Sequence, residues 1–183
     1  MGVFQQSDGA MKHLLSALFF LLMSGAPQLA AEPSAFDELA MASELDSGLQ
    51  NDGNQALLWQ LGGEQQLHLT QQGELNQARL LQQGWANELA LSQVGDENWV
   101  NGAQLGEGNS AELYQAGINN RIWLLQQGSG NEAWISQQGA DNQARAIQLG
   151  DGNQASIEQN GNGLAATVIQ TGANQQVNVV QTN

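Results

Sequence analysis

The chain has 183 residues, enough for one domain, with a net charge of −14, 4 Lys and Arg, 5% aromatic residues and no cysteine. No basic stripe exists to neutralise phosphates, which argues against nucleic acid as a partner, and neither a disulfide framework nor thiolate chemistry is open to it. Charged residues are only 12%, unlike a high-charge disordered chain; the polar bulk is Gln and Asn.

At the N-terminus Lys12 and His13 precede an apolar run over residues 14–23, followed by Ser24, Gly25, Ala26 and Pro27 and then Ala30 and Ala31. A basic start, a short apolar centre and a small-residue cleavage region predict a secretory signal peptide over residues 1–31, cut after Ala30 or Ala31. Residues 1–10 read as an upstream extension, with Met11 as the alternative start. The run is too short to span a bilayer, which needs ~20 apolar residues. Residues 32–48 belong to no repeat. Phe36, Leu39, Ala40 and Leu45 fall on one side of a short helix, with Asp37, Glu38, Glu44 and Asp46 elsewhere. An isolated helix this short is marginal in water, so the segment is expected to be a mobile arm.

Residues 49–183 organise the rest. One amide returns every eleven residues: Gln60, Gln71, Gln82, Gln93, Gln104, Gln115, Gln126, Gln137, Gln148, Gln159, Gln170 and Gln181. Two residues on sits a glycine: Gly62, Gly73, Gly84, Gly95, Gly106, Gly117, Gly128, Gly139, Gly150, Gly161 and Gly172. Five residues on sits an asparagine: Asn76, Asn87, Asn98, Asn109, Asn120, Asn131, Asn142 and Asn153. Seven and nine residues on lie small or branched apolar side chains, as in Ala78 and Leu80 or Ala155 and Ile157. A fixed period without insertions is the mark of a stacked-repeat architecture.

Strand side chains alternate between faces. Asn76, Ala78, Leu80 and Gln82 therefore share one side of an extended segment, and Gln77, Arg79 and Leu81 share the other. A helix would be polar all round and would carry a Gly every eleven residues at a cost of ~1 kcal/mol each. The pattern thus predicts seven-residue strands joined by four-residue turns such as Gln83–Gly84–Trp85–Ala86, with Gly supplying the φ > 0 that the turn needs. Two halves make a 22-residue rung with one strand on each of two sheets. The expected fold is all-β: a two-sheet parallel β-solenoid of about six strand-turn-strand rungs, ~29 Å tall at ~4.8 Å per rung. Stacking sets Gln over Gln and Asn over Asn, so that buried amides pair up a ladder. The core is thin and Ala-rich, which makes hydrophobic burial per rung modest. No cap is evident: no Pro follows Pro33, and residues 175–183 still read as strand. An uncapped parallel stack templates another copy at its ends, so the expected behaviour is self-polymerisation.

The pattern Gln-x-Gly-x-x-Asn-x-Ala-x-(Ile/Leu)-x-Gln resembles the curlin repeat of curli, the bacterial extracellular functional amyloid. It is clearest at Gln126–Gly128–Asn131–Ala133–Ile135–Gln137 and Gln148–Gly150–Asn153–Ala155–Ile157–Gln159, and the resemblance covers about three quarters of the chain. It implies secretion through the curli outer-membrane channel with its accessory proteins. It also implies assembly at the outer cell surface into β-solenoid fibres for adhesion and biofilm matrix. The lack of a Gly-rich N-terminal segment makes the chain more similar to the minor curlin, which nucleates fibres of the major subunit, than to the major subunit itself. Its C-terminus is not basic, as the minor subunit's last repeat would be. Gln65, Leu164 and Gln175 depart from Asn, and Gly102 from an inward apolar residue, which is expected to weaken rungs near both ends and one in the middle. In the family, charge or Gly in some repeats slows assembly. Asp96, Glu97 and Asp141 are candidates for that role here, against a plain solubilising one.

Sorting outward residues at 22-residue spacing puts Trp59, Leu81, Ala103, Leu125, Ile147 and Ile169 in one column, with Arg79, Trp99, Arg121, Trp123 and Arg145 beside it. The opposite sheet presents Glu88, Glu112, Glu132 and Glu158 with Trp134, Tyr114 and His68. An exposed apolar column marks a contact surface. Lateral packing of subunits or fibres is therefore expected through Trp59, Leu81, Leu125, Ile147, Ile169, Arg79, Arg121 and Arg145.

No enzyme is expected: past the signal peptide His68 is the one remaining His, it faces outward, and no inward carboxylate pair repeats. No cofactor or metal is expected either. Calcium-binding β-rolls repeat every nine residues with regular Asp, whereas Asp141 and Asp151 recur irregularly here. The alternative of another class is a monomeric secreted solenoid binding glycan through Trp99 and Trp123. Ice binding would need Thr columns, which Thr70, Thr167, Thr171 and Thr182 do not form.

Overall fold

The structure, a computed structural model, describes residues 53–183. The expected signal peptide and arm lie outside the described residues. Twelve strands follow one another: β1 (Gln55–Gly63), β2 (Gln66–Gln72), β3 (Gln77–Trp85), β4 (Glu88–Asp96), β5 (Trp99–Glu107), β6 (Ser110–Ile118), β7 (Arg121–Ser129), β8 (Glu132–Ala140), β9 (Gln143–Leu149), β10 (Gln154–Asn162), β11 (Ala165–Thr171) and β12 (Gln176–Thr182). The odd strands form one six-stranded sheet in the order β1-β3-β5-β7-β9-β11, and the even strands form the second in the order β2-β4-β6-β8-β10-β12. Every pairing is parallel with an offset of one 22-residue rung, as in Gln60↔Gln82 and Gln71↔Gln93. The protein is a two-sheet parallel β-solenoid of six turns, with no helix among the described residues.

The inward set is the one the alternation predicts. Ala78 and Leu80 of β3 meet Leu89 and Leu91 of β4 across a thin core, and the same small-and-large pairing continues through Ala133 and Ile135 to Ala155 and Ile157. Gly102, expected to weaken its rung, leaves no gap. A β-carbon built there would stand 3.0 Å from Leu80 Cδ2 and 3.6 Å from Leu89 Cδ1, so neighbouring leucines already fill the space.

The corners differ from the expected four-residue turns. Most strands run through the repeat glycine and one residue beyond it, because main-chain bonds between rungs continue around the bend, as in Ala86 N donating to Gly63 O. Gly84, at φ +121°, still pairs with Gly62 above and Gly106 below. Its added β-carbon would run into the Gly106 carbonyl oxygen, so the position excludes side chains by contact as well as by φ. A second left-handed residue completes each corner two positions later. It is Gly at Gly108, Gly130, Gly152 and Gly163, and a residue with a side chain elsewhere, including Leu75 at φ 58° and Ala86 at φ 52°.

Candidate functional site: amide columns and two open ends

Two unbroken glutamine columns run the height of the solenoid. In one, Gln60 Nε2 donates to Gln82 Oε1 at 2.7 Å, and the chain continues through Gln104, Gln126 and Gln148 to Gln170 at 2.8–2.9 Å per step. In the other, Gln71 leads through Gln93, Gln115, Gln137 and Gln159 to Gln181 at 2.8–2.9 Å. The Nε2 groups also donate across the rung to a main-chain carbonyl, as Gln82 does to Gln66 O at 3.0 Å. All the expected glutamines occupy these columns. Gln82 through Gln170 are buried, whereas at three of the four column ends Gln60 is exposed and Gln71 and Gln181 are half-buried.

The asparagines do more than pair with one another. Asn98 Nδ2 donates forward to Gly117 O at 2.9 Å, fastening the corner glycine of the next rung, and back to Asn76 Oδ1 at 3.1 Å. The same Asn76 oxygen accepts the main-chain N–H of Asn98 at 3.1 Å. Each buried Asn therefore satisfies corner groups that the strand ladder leaves over, and a buried polar group left unmatched costs ~1–3 kcal/mol. All eight expected Asn, Asn76 to Asn153, are buried in this arrangement. Sequence reasoning missed Asn54, which plays the same part at the first rung: its Nδ2 donates to Gly73 O at 2.8 Å and its Oδ1 accepts from Asn76 N at 2.9 Å. Its signal was the spacing itself, 22 residues before Asn76.

The substituted positions differ among themselves. Gln65 reaches Gly84 O at 3.1 Å as an Asn would, but its Oε1 is buried without a hydrogen-bond partner. Gln65→Asn should shift that oxygen to where Asn87 N can donate, raising the stability of the folded chain by about 1 kcal/mol in a denaturant titration. An unchanged or lower midpoint would contradict this.

Turn acids tie rungs together. Asp96 Oδ1 accepts from Glu74 N at 2.9 Å, and Asp141 Oδ1 accepts from Asn119 Nδ2 at 2.6 Å. Asp151 Oδ1 accepts from Ser129 Oγ at 2.8 Å and Ser129 N at 2.9 Å. These bonds, the hydroxyl's first, hold the Asp151 carboxyl below its ordinary range.

The outward column exists in register, Trp59 to Ile169 by way of Leu81, Ala103, Leu125 and Ile147. It is not uniformly exposed, which corrects the expected contact surface. Leu81, Ala103 and Leu125 are each 3% exposed, Trp59 and Ile147 are half-buried, and Ile169 alone is open at 62%. Alternation assigns a side chain to a face; its depth depends on what else lies over that face. Arg79, Arg121 and Arg145 are exposed, with Arg145 over the Trp123 ring at 5.6 Å from its centroid and Trp123 against Trp99 at 5.1 Å. On the other sheet Glu88, Glu112 and Glu132 are exposed, Glu158 is half-buried, and His68, Tyr114 and Trp134 also face out. Among the described residues no group of three or more His, Asp or Glu is arranged to hold a metal ion.

Among the described residues the two ends of the stack are the least satisfied part. Strands β1 and β2 at one end and β11 and β12 at the other each pair with a single neighbour. Among the described residues nothing caps them: β1 (QALLWQLGG) and β12 (QVNVVQT) carry no charge and no proline. Leu58, Leu67 and Leu69 at the first end and Val177 and Val179 at the second are partly buried members of the core. The ends are also chemically opposite, since the glutamine columns donate toward β11 and β12 throughout. Gln60 and Gln71 present Oε1 acceptors, and Gln170 and Gln181 present Nε2 donors.

No protein-family model and no curated protein matches the chain. The class is therefore defined by architecture alone, a parallel β-solenoid with internal amide columns and, among the described residues, two open ends.

Proposed function

We propose that this chain is a self-polymerising subunit of a secreted, surface-attached fibre of the curli kind, acting as the minor subunit that nucleates growth of a major one in adhesion and biofilm matrix. The observation that carries the reading is the pair of ends that, among the described residues, are open, carry no charge in their strands and have complementary amide polarity. A soluble solenoid blunts such edges with caps, charge or proline. Here a second copy can continue both sheets, both glutamine columns and the core without a change of register. The repeat pattern, which resembles the curlin repeat, supports the same reading, as does the signal-peptide pattern at the N-terminus.

The test is dilution of the purified full chain from denaturant, followed by thioflavin T fluorescence with and without preformed seeds. Sigmoidal growth is expected, with the lag removed by seeds and fibres giving a cross-β reflection near ~4.8 Å. Trace amounts should also remove the lag of a major curlin. A chain that stays monomeric at high concentration even when seeded would overturn the proposal.

A further inference from the structure

The Asn column that precedes the odd strands runs Asn54, Asn76, Asn98, Asn120 and Asn142 and then breaks at Leu164, in the last rung. Within the chain the break costs the side-chain donor that other asparagines aim at the preceding Oδ1, but the main-chain bonds survive. Leu164 N still donates to Asn142 Oδ1 at 2.9 Å, and Gln143 N still reaches Leu164 O at 2.7 Å. A further loss falls on the next rung, which belongs to another molecule. In-register stacking of a second copy lays its β1 on β11 and its β2 on β12, bringing its Asn54 over Leu164 and its Gln65 over Gln175. The glutamine columns carry across this joint, as Gln170 and Gln181 are donors and Gln60 and Gln71 acceptors. Gln175 also retains an amide, and Gln65 demonstrates that a glutamine at this register reaches the next corner glycine, Gly84 O. Leu164 offers neither donor nor acceptor from its side chain, whereas the glutamine at the parallel position keeps at least its donor. In the interior, an Asn Oδ1 accepts both the main-chain N–H and the Nδ2 of the following Asn, as Asn98 Oδ1 does from Asn120 at 3.1 Å each.

We propose that Leu164 is a weak joint built into the polymerising end, making copy-to-copy stacking weaker than rung-to-rung stacking inside one copy. The deduction rests on the polymer reading above. Its consequence is regulatory: the folded subunit persists below a raised threshold concentration, and growth waits for a seed. A column unbroken from Asn54 through position 164 would tighten the joint and lower that threshold. Leu164 and Asn54 are both half-buried at their open ends, so the joint buries both and leaves the Asn54 N–H facing a methyl surface.

The experiment compares the full-length wild type with Leu164→Asn and Leu164→Ala. Leu164→Asn should lower the concentration of soluble chain at equilibrium with fibres by about tenfold, equivalent to ~1.4 kcal/mol, and shorten the unseeded lag. Leu164→Ala removes the leucine without adding an acceptor and should lower neither. Circular dichroism of the unpolymerised chains checks that all three fold, and Asn already occupies this place in every earlier rung of the column. If the wild type polymerises and seeds but Leu164→Asn has the same soluble concentration, the weak joint is overturned and the polymer reading stands. If Leu164→Ala matches Leu164→Asn, bulk rather than the missing acceptor governs the joint and the proposal fails. If no variant polymerises even with seeds, the polymer reading itself falls and takes the joint with it.

Discussion

Gly117→Ala is expected to unfold the centre of the solenoid, at a cost of about 4 kcal/mol, the range reserved for clashes with fixed backbone. Gly117 combines φ +121° with a site where an added β-carbon would run into the Gly139 carbonyl oxygen of the next rung. Neither can relax, because Asn98 Nδ2 is bonded to Gly117 O and Asn120 Nδ2 to Gly139 O, both at 2.9 Å. Gly130→Ala separates the two causes. Gly130 has φ +60° with nothing within 4 Å of an added β-carbon, so only the left-handed conformation is charged against it, about 1 kcal/mol. Denaturant midpoints of the two unpolymerised variants measure the difference, and equal midpoints would refute the close-approach argument.

Gln126→Ala is the second large effect. It leaves Gln148 Oε1 without its donor, and takes from Gln104 Nε2 its forward acceptor and from Ser110 O its side-chain donor. Gln104 and Gln148 are buried and Ser110 half-buried, and orphaned buried groups cost ~1–3 kcal/mol each; a total of about 3–4 kcal/mol is expected once the smaller side chain leaves a cavity. Gln60→Ala at the exposed end of the same column should cost under about 1 kcal/mol. The pair Gln126→Ala with Gln148→Ala should cost clearly less than the sum of its members, since the second change removes a group the first had orphaned. Strict additivity, by denaturation of each variant, would show the column to be a row of independent contacts.

Much of this was legible in advance for a specific physical reason. In a parallel stack each residue lies over its counterpart one rung away, so any sequence that builds one must repeat in step. Gln, Gly and Asn repeat without an insertion, and the 22-residue offset, the two sheets and the buried face all follow. Corner chemistry was less legible. The second left-handed position is occupied by Glu64, Leu75, Ala86, Glu97, Asn119, Asp141 and Asn174 as well as by glycines, so residue type hides it. Gly108, Gly130, Gly152 and Gly163, each two residues after a repeat glycine, were the available clue.

Other features depend on what surrounds a side chain. Asp96 and Asp141 read as solubilising or assembly-slowing charges, and only the stacked geometry places them, and Asp151, within hydrogen-bond reach of the rung before. Gly102 read as a weak point, until Leu80 and Leu89 proved to occupy its space. Leu81, Ala103 and Leu125 are identical in pattern to Ile169 yet differ from it entirely in exposure.

Periodicity by itself determined the coil, its register, the two amide columns and the absence of charge or proline in the end strands, because these are one-dimensional properties of a chain stacked upon itself. Tertiary structure alone decided the direction in which the amides donate, which carbonyls the asparagines hold, and how deeply each outward residue lies. Those depend on distances between rungs and on neighbours over a face, and no repeat along one dimension encodes them.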